Sequence, residues 1–388
     1  MDFEFDENQK MIQKEVRRLA DSFDMEYWRE KDGKGEFPHE FFDAFAKQGW
    51  LRIAFPEEYG GSGLGVMEAA MVLEEVMASG AGCTGATPLH SSIFTAMPIV
   101  HHGSEEQKRK YIPKIAAGEL KLAISITEPN VGTDTTRIRT MARRDGDEYV
   151  FNGQKVWCSN AKNAEKTLII TRTEPYEEVA KKARGMSLFF ADIHAPGVTI
   201  REIPKLGRHA VDSNELFIED LRVPAEDLIG EEGRGFYYLL TALNPERILV
   251  AAEAVGIGRA CLDMAVKYAS ERVVFNRPIG MNQGIQFPLA DSYSKLEVAR
   301  LMVYKAAWLF DNGLPCGQEA NIAKLRAAEA GFEAADRALQ AHGGYGYAQE
   351  YHIERLWREV RLYRLAPISQ EMVLNYIGEH VLGLPKSY

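Results

Sequence analysis

Along the first third of this 388-residue chain, apolar residues return at helical spacing. Ile12, Val16, Leu19 and Phe23 fall at i, i+4, i+7 and i+11, one stripe of an amphipathic helix, and Asp6 with Gln9 spells a capping box that would start it. Pro38 and the stretch 59-YGGSGLG-65 break the pattern. It resumes near Met67, Glu68, Ala69 and Ala70, and Ser104 with Gln107 spells a second capping box. The period then changes. Short β-rich runs follow one another, 167-TLIITRT-173, 187-SLFFADI-193, 198-VTIREI-203 and 215-ELFIEDLRV-223, with turn signals and no helix between them. Asp145-Gly146 and Asn152-Gly153 are hairpin-turn dipeptides on either side of Tyr149, Val150 and Phe151. Such text predicts an antiparallel sheet or barrel rather than a βαβ fold. From Phe236 the helical period returns in long segments, 247–274, 283–313 and 318–341, which predict a bundle.

The expected fold class is therefore α+β, mostly α. It comprises an N-terminal α-helical domain (1–120), a middle antiparallel β-domain (121–231) and a C-terminal helical bundle (232–388). No internal repeat or low-complexity segment interrupts this order.

Composition narrows the function. A formal net charge of -10 excludes a general nucleic-acid binder, which needs basic surface, but leaves room for one local basic groove. The four cysteines, Cys83, Cys158, Cys261 and Cys316, form no CxxC pair and have no histidine at metal spacing. Reduced, buried thiols are expected, with no disulfide framework and no metal site. No apolar run reaches the roughly 18 residues of a membrane span. The opening Met1-Asp2-Phe3-Glu4 is acidic and reads as neither a signal peptide nor a transit peptide. A cytoplasmic location is expected, and a processed organellar matrix form would read the same.

Nucleotide-binding text of the usual kind is missing: Gly256-Ile257-Gly258 lies inside a helical run with no strand before it and predicts close helix packing. Other segments carry more chemistry. The stretch 124-ISITEPNVGTD-134 leaves an apolar run and enters a turn with Pro129 and Gly132, offering hydroxyls and backbone N–H groups to a polar heterocycle. The segment 157-WCSN-160 sets a stacking face beside a hydroxyl. Further on come 271-ERVVFNRPIG-280, 283-QGIQFPLAD-291 and 340-QAHGGYGY-347.

Together these segments make the chain resemble the acyl-CoA dehydrogenase family over nearly its whole length. The resemblance implies a helical domain, a β-domain and a four-helix bundle, with FAD held between the last two. It implies a homotetramer built as a dimer of dimers, a role in fatty acid metabolism, and electron-transferring flavoprotein as the electron acceptor. By match to the family's motifs, Ile124, Ile126, Thr127, Thr133, Trp157 and Ser159 would line the flavin and ribityl chain. Arg272, Phe275, Gln283, Gln340, Gly343 and Gly344 would reach the adenine-diphosphate part of FAD in a neighbouring subunit, and Ser369 and Glu371 would make the last cofactor contacts. Thr133, Asn244 and Arg247 would meet the acyl-CoA substrate.

The implied reaction is α,β-dehydrogenation of an acyl-CoA thioester to the trans-2-enoyl-CoA. A carboxylate takes the Cα proton while hydride leaves Cβ for the flavin. Many relatives carry that glutamate on a Tyr-x-x-Tyr-Glu-Gly-Thr loop, but the matching text here, 363-YRLAPISQE-371, has Pro367 in its place. Proline also lacks the N–H that would help polarise the thioester carbonyl. A smaller group, resembling isovaleryl-CoA and long-chain acyl-CoA dehydrogenases, places the base on a bundle helix just before an arginine. Glu246, followed by Arg247, stands there. On its own text Glu246 reads as a solvent-facing acid in a first helical turn, with Pro245 at N1; the resemblance makes it the base. Relatives acting on dicarboxylic acyl chains carry an arginine in the segment matching 84-TGATPLHSS-92, where Thr84 stands, so a free distal carboxylate is disfavoured. His90, Ser91 and Ser92 face either the acyl pocket or a polar helix surface. Three other functions share this framework: an acyl-CoA oxidase, against which the chain's length argues mildly, an enoyl-CoA reductase, and a catalytically silent flavin- or CoA-binding subunit.

Overall fold

A computed structural model describes residues 4–387; the first part of the acidic opening read above, residues 1–3, lies outside them. Six helices come first: α1 (Glu7–Ala20), α2 (Met25–Lys34), α3 (His39–Lys47), α4 (Val66–Ala78), α5 (Gly82–His102) and α6 (Glu105–Ala116). Both capping boxes form. The Gln9 amide donates to Asp6 Oδ1 at 2.8 Å and the Gln107 amide to Ser104 Oγ at 3.1 Å, each satisfying an N–H that the helix start would leave unpaired. Ile12, Val16 and Leu19 are buried along α1.

Eight strands follow: β1 (Leu122–Ser125), β2 (Met141–Asp145), β3 (Glu148–Ser159), β4 (Lys166–Arg172), β5 (Met186–Asp192), β6 (Val198–Glu202), β7 (Ser213–Pro224) and β8 (Leu228–Ile229). They form one sheet in the order β6-β7-β3-β2-β4-β5-β8, with β1 paired to β4. Residues alternate between two cores. Leu168, Ile170, Leu188 and Phe190 join the helical core, while Ile169, Phe189 and Ala191 join Tyr149 and Phe151 in a second core on the other face. Covering on both faces is why β4 and β5 read as unbroken apolar runs.

Two expectations need correction. The sheet is mixed, not antiparallel: β1 runs parallel to β4, Ile124 beside Leu168, and β2 meets β4 in parallel at Met141 and Arg172. Parallel neighbours need a long crossover, and the β2–β3 hairpin lies in the chain between β1 and β4. Asn152-Gly153 is not a turn. It lies inside β3 at a register shift opposite β7, where the Asn152 side chain and Asp220 exchange two hydrogen bonds. A Cβ on Gly153 would sit 2.5 Å from Thr140 Oγ1, so close backbone approach, not a hairpin, demands glycine there. Asp145-Gly146 does open the β2–β3 hairpin.

The rest of the chain is α7 (Gly235–Glu271), a small hairpin of β9 (Val273–Val274) and β10 (Arg277–Pro278), then α8 (Gln283–Asp311), α9 (Gly317–His342), α10 (Ile353–Val360) and α11 (Gln370–Tyr376). The helices α7, α8 and α9 pack side by side, and α10 lies across α7 and α9. Gly256 and Gly258 serve helix packing as expected: a Cβ at 256 would meet the Glu74 carbonyl at 2.3 Å, and one at 258 the Gly331 Cα at 3.1 Å. Pro245, expected at N1, instead lies well inside α7. The apolar face continues upstream through Leu239 and Ala242, and that burial outweighs the one backbone hydrogen bond a proline forfeits. All four cysteines are buried and unpaired. Among the described residues no helix is long and apolar enough to cross a membrane.

Candidate active site

Glu246 and Glu253 stand two turns apart on one face of α7, and His90 of α5 lies between them. The imidazole Nε2 meets Glu246 Oε2 in a short hydrogen bond, and Nδ1 meets Glu253 Oε1 at 2.8 Å. All three side chains are nearly enclosed, Glu246 retaining 12% exposure and Glu253 5%. Burial alone would push the imidazole pKa down, but two carboxylates in direct contact reverse this and hold it well above the usual histidine value. The Tyr363 hydroxyl donates to the other oxygen of Glu253 at 2.9 Å and lies 3.1 Å from Cys83 Sγ. His90 thus belongs to a charged interior cluster rather than to a polar helix surface. Thr84 is fully buried and donates to Glu359 at 3.1 Å.

The loop carrying Pro367 starts at Tyr363. The Lys324 ammonium of α9 donates to the Ile368 carbonyl, and Arg364 Nε donates to Gln370 at 2.7 Å, which fixes the segment entering α11. Ser369 caps α11 by accepting from the Met372 amide at 3.4 Å, and Glu371 lies exposed in its first turn. Beside Glu246, Arg247 donates to the Asn244 side chain at 3.1 Å and to the Leu243 carbonyl at 3.2 Å.

The turn after β1 approaches the end of β3. The Val156 amide donates to the Thr127 carbonyl at 2.9 Å and Lys155 to the Ile126 carbonyl at 3.0 Å, which brings Ile124, Ile126 and Thr127 near Trp157. Glu128 organises this turn. Buried, it accepts from the Arg139 and Thr140 amides at 2.7 and 3.0 Å and from Lys155 at 2.9 Å. Thr133 is exposed at its tip. Trp157 holds a positive φ of 60° and leaves 58% of its surface open, while Ser159 accepts from Arg208 at 2.9 Å. A second set gathers where α7 and α9 end and α8 begins. The Arg272 guanidinium lies 5.8 Å from the Tyr345 ring, in the turn that contains Gly343 and Gly344. Phe275 is 95% exposed, and Gln283 and Gln340 are exposed. Among the described residues no hydrogen bond, ion pair or ring contact joins this set to the Trp157 set.

Three models of known protein domains match successive parts of the chain. The acyl-CoA dehydrogenase N-terminal, middle and C-terminal domains match residues 6–119, 123–221 and 233–382. Acyl-CoA dehydrogenase FadE12 of Mycobacterium tuberculosis is 39% identical over 384 residues, 98% of either chain. The chain belongs to the acyl-CoA dehydrogenase family. A second relative, the caffeyl-CoA reductase–Etf complex subunit CarC of Acetobacterium woodii, is 36% identical over 96% of this chain and 98% of its own. Among solved structures, a glutaryl-coenzyme A dehydrogenase in complex with glutaryl-CoA superposes with a TM-score of 0.95 at 33% identity, covering 100% of this chain and 98% of the other.

Acyl-CoA dehydrogenases are FAD-dependent oxidoreductases, and the donor set here suits that cofactor. An open indole face fits a flat heterocycle. Positions 132, 343 and 344 have nothing within 4 Å of where a Cβ would stand, so a phosphate can approach the backbone there. Among the described residues Arg272 has no acidic partner, which leaves its charge for an anion. A surface groove of about 530 Å³ beside Asp32, His209 and Arg358 is a different place. Its charges are already paired, Arg358 with Asp32 at 3.1 Å and with Glu354 at 2.7 Å.

Sequence reasoning missed Glu253, Tyr363 and Glu128. Glu253 left a signal: it is a lone acid in the apolar run 248-ILVAAEAVGIG-258, seven residues after Glu246.

Proposed function

We propose that the chain dehydrogenates an acyl-CoA thioester at Cα and Cβ, with Glu246 as the base that takes the Cα proton. The carrying observation is a nearly enclosed carboxylate on α7, held by His90, in a chain whose loop offers Pro367 where most relatives have their glutamate. When bound, FAD supplies the acceptor for the hydride that leaves Cβ. With Oε2 engaged by His90, Glu246 receives the proton on Oε1. Asn244 and Arg247 order the CoA side of the site. Pro367 has no N–H to give, so any carbonyl donor from this loop is a neighbouring amide. Ile124, Ile126, Thr127, Thr133, Trp157 and Ser159 hold the flavin end of FAD. Arg272, Phe275, Gln283, Gln340, Gly343 and Gly344 hold the adenine-diphosphate part of a neighbouring subunit's FAD, and Ser369 and Glu371 make the last cofactor contacts.

Assembly belongs to the same reading. Phe287, Tyr293, Val298, Leu301 and Trp308 are each more than half exposed along α8, an apolar face that suits a homotetramer. A mass near four chains by light scattering is expected. The caffeyl-CoA reductase–Etf relative supports an electron-transferring flavoprotein as redox partner, and it also favours a second reading, reduction of an enoyl-CoA.

Anaerobic titration of the yellow holoprotein with acyl-CoAs of differing chain length tests the main reading. Flavin bleaching is expected with the unsubstituted protein and not with Glu246→Gln. Bleaching of the variant at an undiminished rate removes Glu246 from the role.

A further inference from the structure

The cluster behind Glu246 has a proton count that the dehydrogenation reading leaves unused. Two hydrogen bonds join one imidazole to two carboxylates, and each needs a proton. The arrangement that satisfies both gives each ring nitrogen its proton and leaves both glutamates ionised, for a net charge of one negative. The surroundings agree. Tyr363 donates to Glu253, so that carboxylate accepts on both oxygens, and the Phe94 ring edge covers the imidazole at 5.8 Å. Beyond Tyr363 the chain of contacts runs to Cys83, which sits against Glu359, and Glu359 has Arg355 at 3.6 Å. Arg355 and Arg208 lie behind the cluster without touching His90, Glu246 or Glu253; Arg247 of α7 acts on Glu246 through space, but its own hydrogen bonds go to Asn244 and the Leu243 carbonyl.

We infer that His90 and Glu253 are positioning residues for Glu246, forming with it a singly negative cluster that becomes neutral when it accepts the substrate proton. This rests on the reading of Glu246 as the base. Burial penalises net charge, so a step from one negative to neutral is favoured in this interior. Without Glu253 the same proton would turn a neutral Glu246–His90 pair into a buried cation. Without His90, two carboxylates would share the interior with no cation between them, and one would already hold a proton. Each acceptance breaks the substrate Cα–H bond, forms an O–H bond on Glu246, and leaves the electron pair with the substrate. In the reductive direction the neutral cluster returns that proton to Cα.

The two supports therefore act with opposite sign, which no purely structural role reproduces. Stopped-flow flavin reduction of the holoproteins across pH tests this. Glu253→Gln is expected to slow reduction at neutral pH about 10-fold or more and to move the acid limb of the pH–rate profile down by about one unit. His90→Gln is expected to move that limb up by about as much. Glu253→Asp should restore part of the wild-type profile. Shifts of both limbs in one direction, or of neither, with Glu246→Gln inactive, overturn the inference and leave the base assignment standing. Full activity of Glu246→Gln overturns both, and appears in that variant alone. The unsubstituted holoprotein gives an independent reading by magic-angle-spinning NMR with ¹⁵N-labelled histidine. One of its nine histidines should stay doubly protonated at a pH where an ordinary imidazole is neutral, and finding none sinks the cluster.

Discussion

Helix α7 contributes to two buried acidic clusters, and their charge balance differs. Toward its C-terminal half, Arg259 meets Glu74 and Glu75 of α4, Arg300 Nε reaches Glu74 at 2.7 Å, and Arg17 reaches Glu75 at 3.1 Å. Three guanidiniums there serve two carboxylates, and the Tyr304 hydroxyl adds a further donor to Glu74 at 2.6 Å. Upstream, two carboxylates share one imidazole. The first cluster sets three guanidiniums against its two buried carboxylates, and these ion pairs tie α1, α4, α7 and α8 together. The second is short of positive charge, which is the condition for taking up a proton. Similar burial gives a clamp in one case and, in the proposed mechanism, a proton acceptor in the other.

Exchanging acid for amide in each cluster breaks the comparison most sharply. Glu246→Gln should lower the rate of flavin reduction about 10³-fold or more, within the range for losing a positioned base, with the denaturation midpoint nearly unchanged. Glu74→Gln should do the reverse. It strands guanidiniums beside a neutral amide and is expected to cost about 3 kcal/mol, read from chemical denaturation at fixed protein concentration, while the rate per folded molecule holds. Gly256→Ala, whose new methyl would meet the Glu74 carbonyl at 2.3 Å and Met77 Cβ at 2.6 Å, should cost about 1–3 kcal/mol through overpacking.

Lys324 sharpens the comparison with the smallest effect. It is a buried cation with no carboxylate at ion-pair distance among the described residues, and burial pushes its pKa down to about 8 from 10.5. Between those values the unfolded chain binds the proton that the folded chain has released, so stability rises with pH across that window. Below pH 8 both states are protonated and the slope vanishes. Lys324→Met should flatten the rise, as measured by denaturant midpoints on either side of pH 8.

Local chemistry was legible in the chain wherever neighbours in sequence settle the outcome. Asp6 with Gln9 and Ser104 with Gln107 cap their helices because both partners lie within one turn. The apolar runs of β4 and β5 declared themselves as strands, and the structure adds that both of their faces are covered. What was hidden depends on distant partners. Nothing near Leu122–Ser125 reveals that its neighbour, forty-odd residues on, runs parallel to it. Asn152-Gly153 carries turn residues, yet Asp220 and Thr140 make it a bulge. The proposed base rests on likeness, and its contact with His90 was not readable: His90 lies 156 residues from Glu246 in the chain, and only packing of α5 on α7 brings them together.

That packing makes length a stricter requirement than identity between residues 246 and 253. A helix turns about 100° per residue, so inserting or deleting a single amino acid in that interval would swing one acid away from the ring the two now grip. Conservative exchanges among Ile248, Leu249, Val250, Ala251 and Ala252 leave the spacing intact. Over evolutionary time the interval should therefore drift in spelling and never in count.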